Sequence, residues 1–376
     1  MVDKDLFLHD LSIVAILKNE GPYLKEWIDY HLLAGVDHFY LYDNDSPDNQ
    51  AEVAKPYVEA GIVDYFPLPG ERKQGTAYRK AVAKFKFFSR YMAFIDGDEF
   101  IYPKSRGNVV EVVDEILSRD KNATGLVINW HLFGSNGQEK ADYSHGVLER
   151  FTRRAPYDYV KNKMIKTIAN PRAIEKCGHA HYEIYFENFH AVNENGDTVK
   201  EDTNIPVLFD KIVLNHYYLK SKEEAERKFN GLAANTGKPK DKRGLLHDRN
   251  DEFDDGILKY RDARAKVYQP PDTSHTDERL LKALERNLSP ALKADTPPEF
   301  YAGKMETFLA CRAVASYLKT KLKDDKQAKL FEETALKAIL KSLEQRYTFA
   351  DAGLLVKELP ELLKLPYPAV EELRKL

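Results

Sequence analysis

The chain has 376 residues, 43% of them hydrophobic and 31% charged, which is enough for one large domain with an appendage or for two domains. Lysine and arginine number 57 against 60 aspartates and glutamates, so the net charge of −3 offers no global field for nucleic acid, and no nucleic-acid partner is expected. Cys177 and Cys311 are isolated, which excludes a thiolate zinc centre and points to a reducing compartment; no run of about eighteen apolar residues marks a membrane span, and the charged start (Asp3, Lys4, Asp5, His9, Asp10) is unlike a secretory signal, so a cytoplasmic location is expected.

In chain order, Leu11 to Leu17 is a short β-branched run that predicts a buried strand, followed by Lys18, Asn19, Glu20 and Gly21. Pro22 opens a helix over Tyr23 to Ala34, with Trp27, Tyr30 and His31 on one face and Gly35 as its stop. Val36 to Tyr42 predicts a second strand ending in Asp43, Asn44 and Asp45, then a helix from about Asp48 to Ala60 and a third strand, Val63 to Pro67. Gly75 to Ser89 predicts a basic amphipathic helix. Next comes a strand, Tyr91 onward, whose apolar run Met92-Ala93-Phe94-Ile95 ends in Asp96-Gly97-Asp98-Glu99. Alternating strands and helices predict an α/β unit with a largely parallel sheet, and ligands in such sheets bind beyond the carboxyl ends of the strands. Three polar clusters, at 18–20, 43–45 and 96–98, lie at such ends.

Further on, Val109 to Leu117 predicts a helix and Gly125 to Trp130 a strand leading into His131-Leu132-Phe133-Gly134-Ser135-Asn136-Gly137. Short strands are predicted at Met164 to Ala169, Ala173 to Glu175 and Lys211 to His216. Ser221 is placed to cap a helix from Lys222 to Asn230. Thr236 to Gly256 has glycines and charges without an apolar period and predicts a mobile loop. After Pro270-Pro271 the pattern becomes helical, with helices expected over 277–287, 300–322, 325–347, 350–359 and 368–376. The expected division is therefore a domain over 1–270 and an α-helical region over 271–376.

Acids clustered at the end of a buried strand repel each other unless something positive sits among them. The usual remedy is a divalent cation, and aspartate oxygens are hard ligands that suit Mn²⁺ or Mg²⁺. Asn19, Glu20, Asp43 and Asn44 are placed to hydrogen-bond a nucleotide's ribose and base, while Asp98 holds a metal and the metal a diphosphate. Glu20 and Asp43 also suit helix capping and turn formation. Lys220 and Lys222 can add positive charge near phosphates or simply start a solvated helix. Trp130, Gly134 and Ser135 suit a sugar site, in which an aromatic face stacks on a pyranose, although Trp130 also suits a core. His179 and His181, two apart, would share one strand face; a sugar-pocket role is preferred to a metal pair.

Leu17-Lys18-Asn19-Glu20, Tyr23-Leu24-x-Glu26-Trp27-x-x-Tyr30-His31, Tyr42-Asp43-Asn44-x-Ser46, Asp96-Gly97-Asp98-Glu99-Phe100, Trp130-x-x-Phe133-Gly134-Ser135-x-Gly137 and Asn215-His216-Tyr217-Tyr218-x-Lys220-Ser221 occur in that order. Together they resemble family 92 glycosyltransferases and bacterial relatives in the family 2 group, over roughly residues 11 to 260. The resemblance implies a GT-A fold with a Rossmann-like sheet and a nucleotide-sugar donor, UDP-linked by family. It implies Mn²⁺ or Mg²⁺ held by Asp98, with Asp96 toward the ribose or the metal and His216 completing the coordination. It also implies inversion, which needs a carboxylate base. Glu149 ranks first, then Asp142, with Glu139 and Glu183 weaker; a retaining enzyme would need none.

The acceptor expected on this reading is a glycan, free or lipid-linked, in surface polysaccharide or lipopolysaccharide synthesis. The helical tail would pack on the catalytic domain, self-associate or dock peripherally on the inner membrane, with self-association ahead of membrane docking. Two other functions stay open. A sugar-1-phosphate nucleotidyltransferase would need a glycine-rich, arginine-bearing loop that Lys18–Pro22 lacks. A non-catalytic sugar-binding scaffold would not need Asp96, Asp98 and His216 together.

Overall fold

A computed structural model describes residues 7, 9–86, 88–105, 107–177, 179–230, 241–271, 315, 318–319, 323–344 and 364. Its elements begin β1 (His9–Leu17), α1 (Gly21–Leu33), β2 (His38–Asp43), α2 (Gln50–Glu59), β3 (Val63–Pro67), α3 (Gln74–Phe85), β4 (Ser89–Phe94), β5 (Glu99–Pro103) and α4 (Val109–Leu117). Next come β6 (Ala123–Leu132), α5 (Val147–Arg150), β7 (Arg153–Arg154), β8 (Ile165–Ala169), β9 (Ile174–Lys176), β10 (Ile184–Tyr185), β11 (His190–Val192) and β12 (Thr198–Val199). The remainder are β13 (Ile212–His216), α6 (Lys222–Phe229), β14 (Glu252–Phe253), α7 (Gly256–Ala265) and α8 (Asp325–Glu344).

A ten-stranded mixed sheet, in the order β12-β11-β6-β8-β4-β1-β2-β3 with β13 joined to β6 and β5 to β13, carries the fold. β1, β2 and β3 are parallel and in step, with Leu17 opposite Asp43 and Asp43 opposite Pro67, so their carboxyl ends share one rim. β8 turns the pattern antiparallel against both β4 and β6. β1 is buried over Leu11–Leu17, as an apolar strand covered on both faces should be. The α/β sheet expected from the alternating pattern is thus present, with parallel pairs at β1-β2-β3 and again where β11 and β13 flank β6.

α1 explains why the acidic segment is where it is. Pro22 sits in its first turn, where the missing N–H costs nothing. Gly35, at φ +101°, ends the turn after it, and a Cβ there would come within 2.7 Å of Asn108 Cβ. The buried face of α1 spends its polar atoms on the backbone of β5. Trp27 Nε1 donates to the Glu99 carbonyl at 2.8 Å and Tyr30 Oη to the Ile101 carbonyl at 2.9 Å; the Ile101 N–H donates to His31 Nε2 at 3.2 Å. Three side chains that looked like a packing stripe therefore anchor the strand that follows Asp98.

Several elements were not foreseen. β5 follows the acids directly, and its pattern Glu-Phe-Ile-Tyr-Pro had been given no element of its own. The segment read as a mobile loop is outside the described residues at 236–240. From 241 it forms a 3₁₀ turn, Lys242–His247, and then β14, which pairs with β7. No helix among the described residues is long and apolar enough to cross a membrane.

Chain contacts divide the protein into two compact units. One comprises Met1, His9–Arg79 and Tyr91–Thr273; the other comprises Val2–Leu8, Lys80–Arg90 and Ser274–Leu376. Within the second, α8 covers most of the expected 325–347 helix and buries Ala328, Phe331, Ala335 and Leu336. The helices expected at 277–287, 350–359 and 368–376 lie outside the described residues, as does almost all of 300–322.

His31 makes the fold sensitive to acid. Its ring pairs Nδ1 with the Trp27 carbonyl at 2.8 Å and Nε2 with the Ile101 N–H, so it needs the neutral form, and burial lowers its pKa to about 3. A folded-state pKa below the unfolded value of about 6.5 contributes stability that is present above pH 6.5 and lost as pH falls toward 3. Denaturant titrations should show His31 accounting for about 2 kcal/mol of lost stability between pH 7 and pH 5, at about 1.4 kcal/mol per unit. His31→Leu should be less stable at pH 7 and lack that part of the slope.

Candidate functional site

The acids sit in the turn between β4 and β5, at the end of the buried run Tyr91–Ile95. Gly97 is required there because a Cβ would lie 2.8 Å from Leu17 Cδ2 and 3.2 Å from Glu20 Cγ. The β13–β5 register sets His216 opposite Glu99, and the Tyr217 N–H donates to the Asp98 carbonyl at 2.9 Å. β13 also pairs in parallel with β6, which brings the Trp130 and His216 rings edge to face at 4.3 Å.

Two lysines neutralise the acids. Lys166, from the middle of β8 and 1% exposed, donates to Asp96 Oδ2 at 2.9 Å and lies 3.8 Å from Glu99 Oε2. Lys228, from the last turn of α6, donates to Asp98 Oδ2 at 2.5 Å and to the Tyr218 carbonyl at 2.8 Å. Burial pushes Glu99 up to about 8 in spite of Lys166, so this acid is mostly protonated at neutral pH. Burial also acts to raise Asp98, but the Lys228 and His216 interactions outweigh it and hold that carboxyl well below its usual range. His216 is lowered by burial even beside Asp98, so its ring is neutral at pH 7 and able to ligate.

Asp98 and His216 fit a divalent cation. Asp98 Oδ1 and His216 Nε2 are 3.5 Å apart, a spacing suited to two neighbouring ligands with bonds of about 2.1 Å. His216 Nδ1 is buried without a hydrogen-bond partner. A carboxylate with one imidazole suits Mn²⁺ or Mg²⁺. Among the described residues no group of three or more His, Cys, Asp or Glu could hold a metal. Asp96 is engaged elsewhere, with Gln74 Nε2 on Oδ1 at 2.9 Å and Lys166 on Oδ2.

The expected nucleotide-side residues gather at the rim of β1 and β2, where much of their polarity builds the rim itself. The Asn19 N–H donates to Ser46 Oγ and the Glu20 N–H to Gln50 Oε1. Asp43 Oδ1 accepts from the Ser46 N–H, and Asn44 Nδ2 donates to the carbonyls of Leu68 and Gly70. Lys18 and Asn19 are exposed. Asn19 and Lys220 both adopt φ +60°, a left-handed conformation that asparagine tolerates and lysine does not favour. Lys220 is buried with its ammonium 4.3 Å over the Tyr23 ring, close enough to Asp98 to help lower that carboxyl. Lys222 is exposed and pairs with Glu139 at 3.1 Å.

The loop after β6 is clasped by a distant segment. Ser135 donates through its N–H and Oγ to the two oxygens of Asp248, each at 2.7 Å, and a Cβ on Gly134 would lie 2.2 Å from the Arg249 carbonyl oxygen. These two residues thus shape the loop, and Trp130 is the member of that set placed against His216 and His181. His181 donates from Nδ1 to the Ile165 carbonyl, and His179 is 3.9 Å from Asp202.

Glu149 is half-exposed, paired with Arg261 at 3.1 Å and 3.6 Å from His145. It lines a cleft of about 420 Å³ with Tyr23, Glu26, Tyr143, His145 and Arg261. The neighbouring Arg150 turns away and makes a buried two-point contact with Glu224, at 3.0 and 2.6 Å. Asp142 is exposed and accepts from Ser144. Glu183 is buried, and burial pushes it up to about 8.

Lys166, Lys228 and Gln74 were not singled out from sequence. Lys166 is the one charged residue in a buried strand, Ile-Lys-Thr-Ile-Ala, which is the one local sign that a buried counter-charge was needed.

A family profile described as Glycosyltransferase family 92 matches residues 16–243, more than half of the chain. The chain belongs to glycosyltransferase family 92. A family 92 protein of Ricinus communis is 26% identical over 223 residues, covering 59% of this chain and 37% of the relative. Another, from Arabidopsis thaliana, is 30% identical over 154 residues, covering 39% of this chain and 27% of the relative. A galactan beta-1,4-galactosyltransferase of Arabidopsis thaliana matches over 100 residues at 27% identity, 24% of this chain and 19% of its own length. This family 92 chain therefore spans well under half the length of the relatives it matches. Among solved structures, Staphylococcus aureus TarS 1–349 with UDP aligns at 12% identity and TM-score 0.31, covering 90% of this chain and 93% of that one. Glucosyl-3-phosphoglycerate synthase of Mycobacterium tuberculosis, solved with Mn²⁺, UDP and glucosyl-3-phosphoglycerate, aligns at 14% identity and TM-score 0.26, covering 44% and 58%. Likenesses that loose identify neither donor nor acceptor.

Lys166→Met should strand Asp96 and Glu99 at the strand end without their buried cation. The expected cost is about 3–5 kcal/mol by urea denaturation, the range for breaking a buried pair from one side. Adding Asp96→Asn should restore part of it; an unchanged midpoint for Lys166→Met would show that the pair is not structural.

Proposed function

We propose that the protein is a metal-dependent, inverting glycosyltransferase that moves a sugar from a UDP-sugar to a glycan acceptor, free or lipid-linked, in the cytoplasmic synthesis of a surface polysaccharide. The observation that carries this reading is the convergence of Asp98 and His216 at 3.5 Å, at the end of a buried strand, in a family 92 chain.

Neutralising the charge that builds on the departing diphosphate is the chemistry a divalent cation held by Asp98 and His216 would supply. Lys220 and Lys228 add positive charge beside it, where the low dielectric strengthens their effect. The rim residues Lys18, Asn19, Glu20, Asp43 and Asn44 face the nucleoside, and Trp130 offers its ring to the sugar. The acceptor enters the cleft beside Tyr23, whose ring also meets the Lys220 ammonium. Of the carboxylates on that cleft, Glu26 is spent on the Val147 and Leu148 N–H groups and Asp29 on Lys25 and Tyr57. Glu149, half-exposed and held by surface contacts to Arg261 and His145, takes the proton of the acceptor hydroxyl as its oxygen bonds to the anomeric carbon and the bond to the diphosphate breaks.

Asp98→Asn should abolish transfer and Mn²⁺-dependent UDP binding in isothermal titration while leaving the thermal melt cooperative. Glu149→Gln should lower kcat by about 10²–10⁴-fold with UDP binding intact. Full transfer by wild-type protein in excess EDTA would overturn the metal-dependent reading.

A further inference from the structure

Lys228 stands where it can decide when a cation is accepted. α6 begins with Ser221 capping and Glu224 reaching back to the Ser221 N–H, and Glu224 is clamped in turn by Arg150 and the Tyr23 hydroxyl. That fixed start delivers Lys228, a turn and a half later, onto Asp98 Oδ2 at 2.5 Å, with its ammonium 4.4 Å over the Tyr218 ring. Asp98 therefore presents one oxygen to a lysine and the other to His216. Lys166 likewise occupies Asp96 and approaches Glu99. Without nucleotide the acids are already balanced by built-in cations, and a divalent ion meets only two protein ligands and little net negative charge. A nucleoside diphosphate changes both terms, because it supplies oxygen ligands and a charge that accepts the ammonium. Lysine suits the exchange, since its point charge rides on a flexible stem and this side chain is 27% exposed.

We propose that Lys228 makes divalent-cation binding at Asp98 and His216 conditional on a nucleoside diphosphate: the ammonium holds Asp98 until the diphosphate draws it away. The proposal rests on the donor site described above and adds an order of events to it. Linkage makes the effect reciprocal, so the cation strengthens nucleotide binding by the same factor.

The test is Mn²⁺ titration of the full chain, followed by the electron paramagnetic resonance signal of free Mn²⁺, with and without UDP. Wild type should bind Mn²⁺ at least about tenfold tighter with UDP present, within the usual range of coupling. Lys228→Met, and Lys228→Gln as a second neutral variant, should bind Mn²⁺ alone about tenfold tighter than wild type and gain correspondingly less from UDP. Lys228→Arg, which keeps the charge, should behave as wild type. Neutral variants that bind Mn²⁺ alone no more tightly than wild type, or a wild-type affinity indifferent to UDP, would overturn the proposal and leave the metal-dependent site standing. Wild type that binds no Mn²⁺ even with UDP would overturn the donor-site reading as well.

Discussion

Three carboxyl groups held at the end of a buried strand are the constraint to which the rest of this protein answers. Ionised together in a low-dielectric turn they would repel by several kcal/mol. The chain relieves that repulsion in three different ways. Asp96 is paired with Lys166, Asp98 is paired with Lys228, and Glu99 takes up a proton. The lysines come from β8 and α6, so the acidic turn is balanced only once distant parts of the chain have assembled around it.

The scaffold is built to hold that turn still. α1 binds the far side of β5 through Trp27, Tyr30 and His31, and β13 binds its edge with His216 opposite Glu99. Because β13 also pairs with β6, His216 and the ring of Trp130 are placed by two hydrogen-bonded ladders rather than by loops. Sites on regular elements keep their geometry better than sites on loops. The rim of β1 and β2 is firm for a related reason: the turns after these strands are stitched together by Ser46, Asp48 and Gln50.

Much of this was legible in the sequence. The strand-helix alternation up to Ile95 gave the parallel part of the sheet, since buried strands and amphipathic helices have different apolar periods. Asp98, His216 and Trp130 come from three separate motifs, and the fold sets Asp98 and Trp130 on either hand of His216. What stayed hidden was non-local. β5 is too short and too polar at its start to announce itself, and it is a strand because β13 and α1 cover it. Lys228 was not singled out on its helix, and Lys222, which was, pairs with Glu139 at the surface. A lone sequence shows a carboxylate that needs a partner, but choosing among dozens of lysines requires the third dimension. The roles of Gly134 and Ser135 were hidden for the same reason, because Asp248 and Arg249 lie more than a hundred residues downstream.

That last contact bears on how this chain can be recombined. The Phe133–Gly137 turn and the Asp248–Asn250 turn are bonded at Ser135 and Asn136 and pressed together so tightly at Gly134 that no side chain fits between them. They are two strips of sequence but one mechanical part. A chimera that imports either strip alone from a relative would pair a foreign surface with a native one across a gap that has no slack. The two travel together or not at all, so exchange of substrate preference by segment swapping has a smallest workable unit that is discontinuous in the gene.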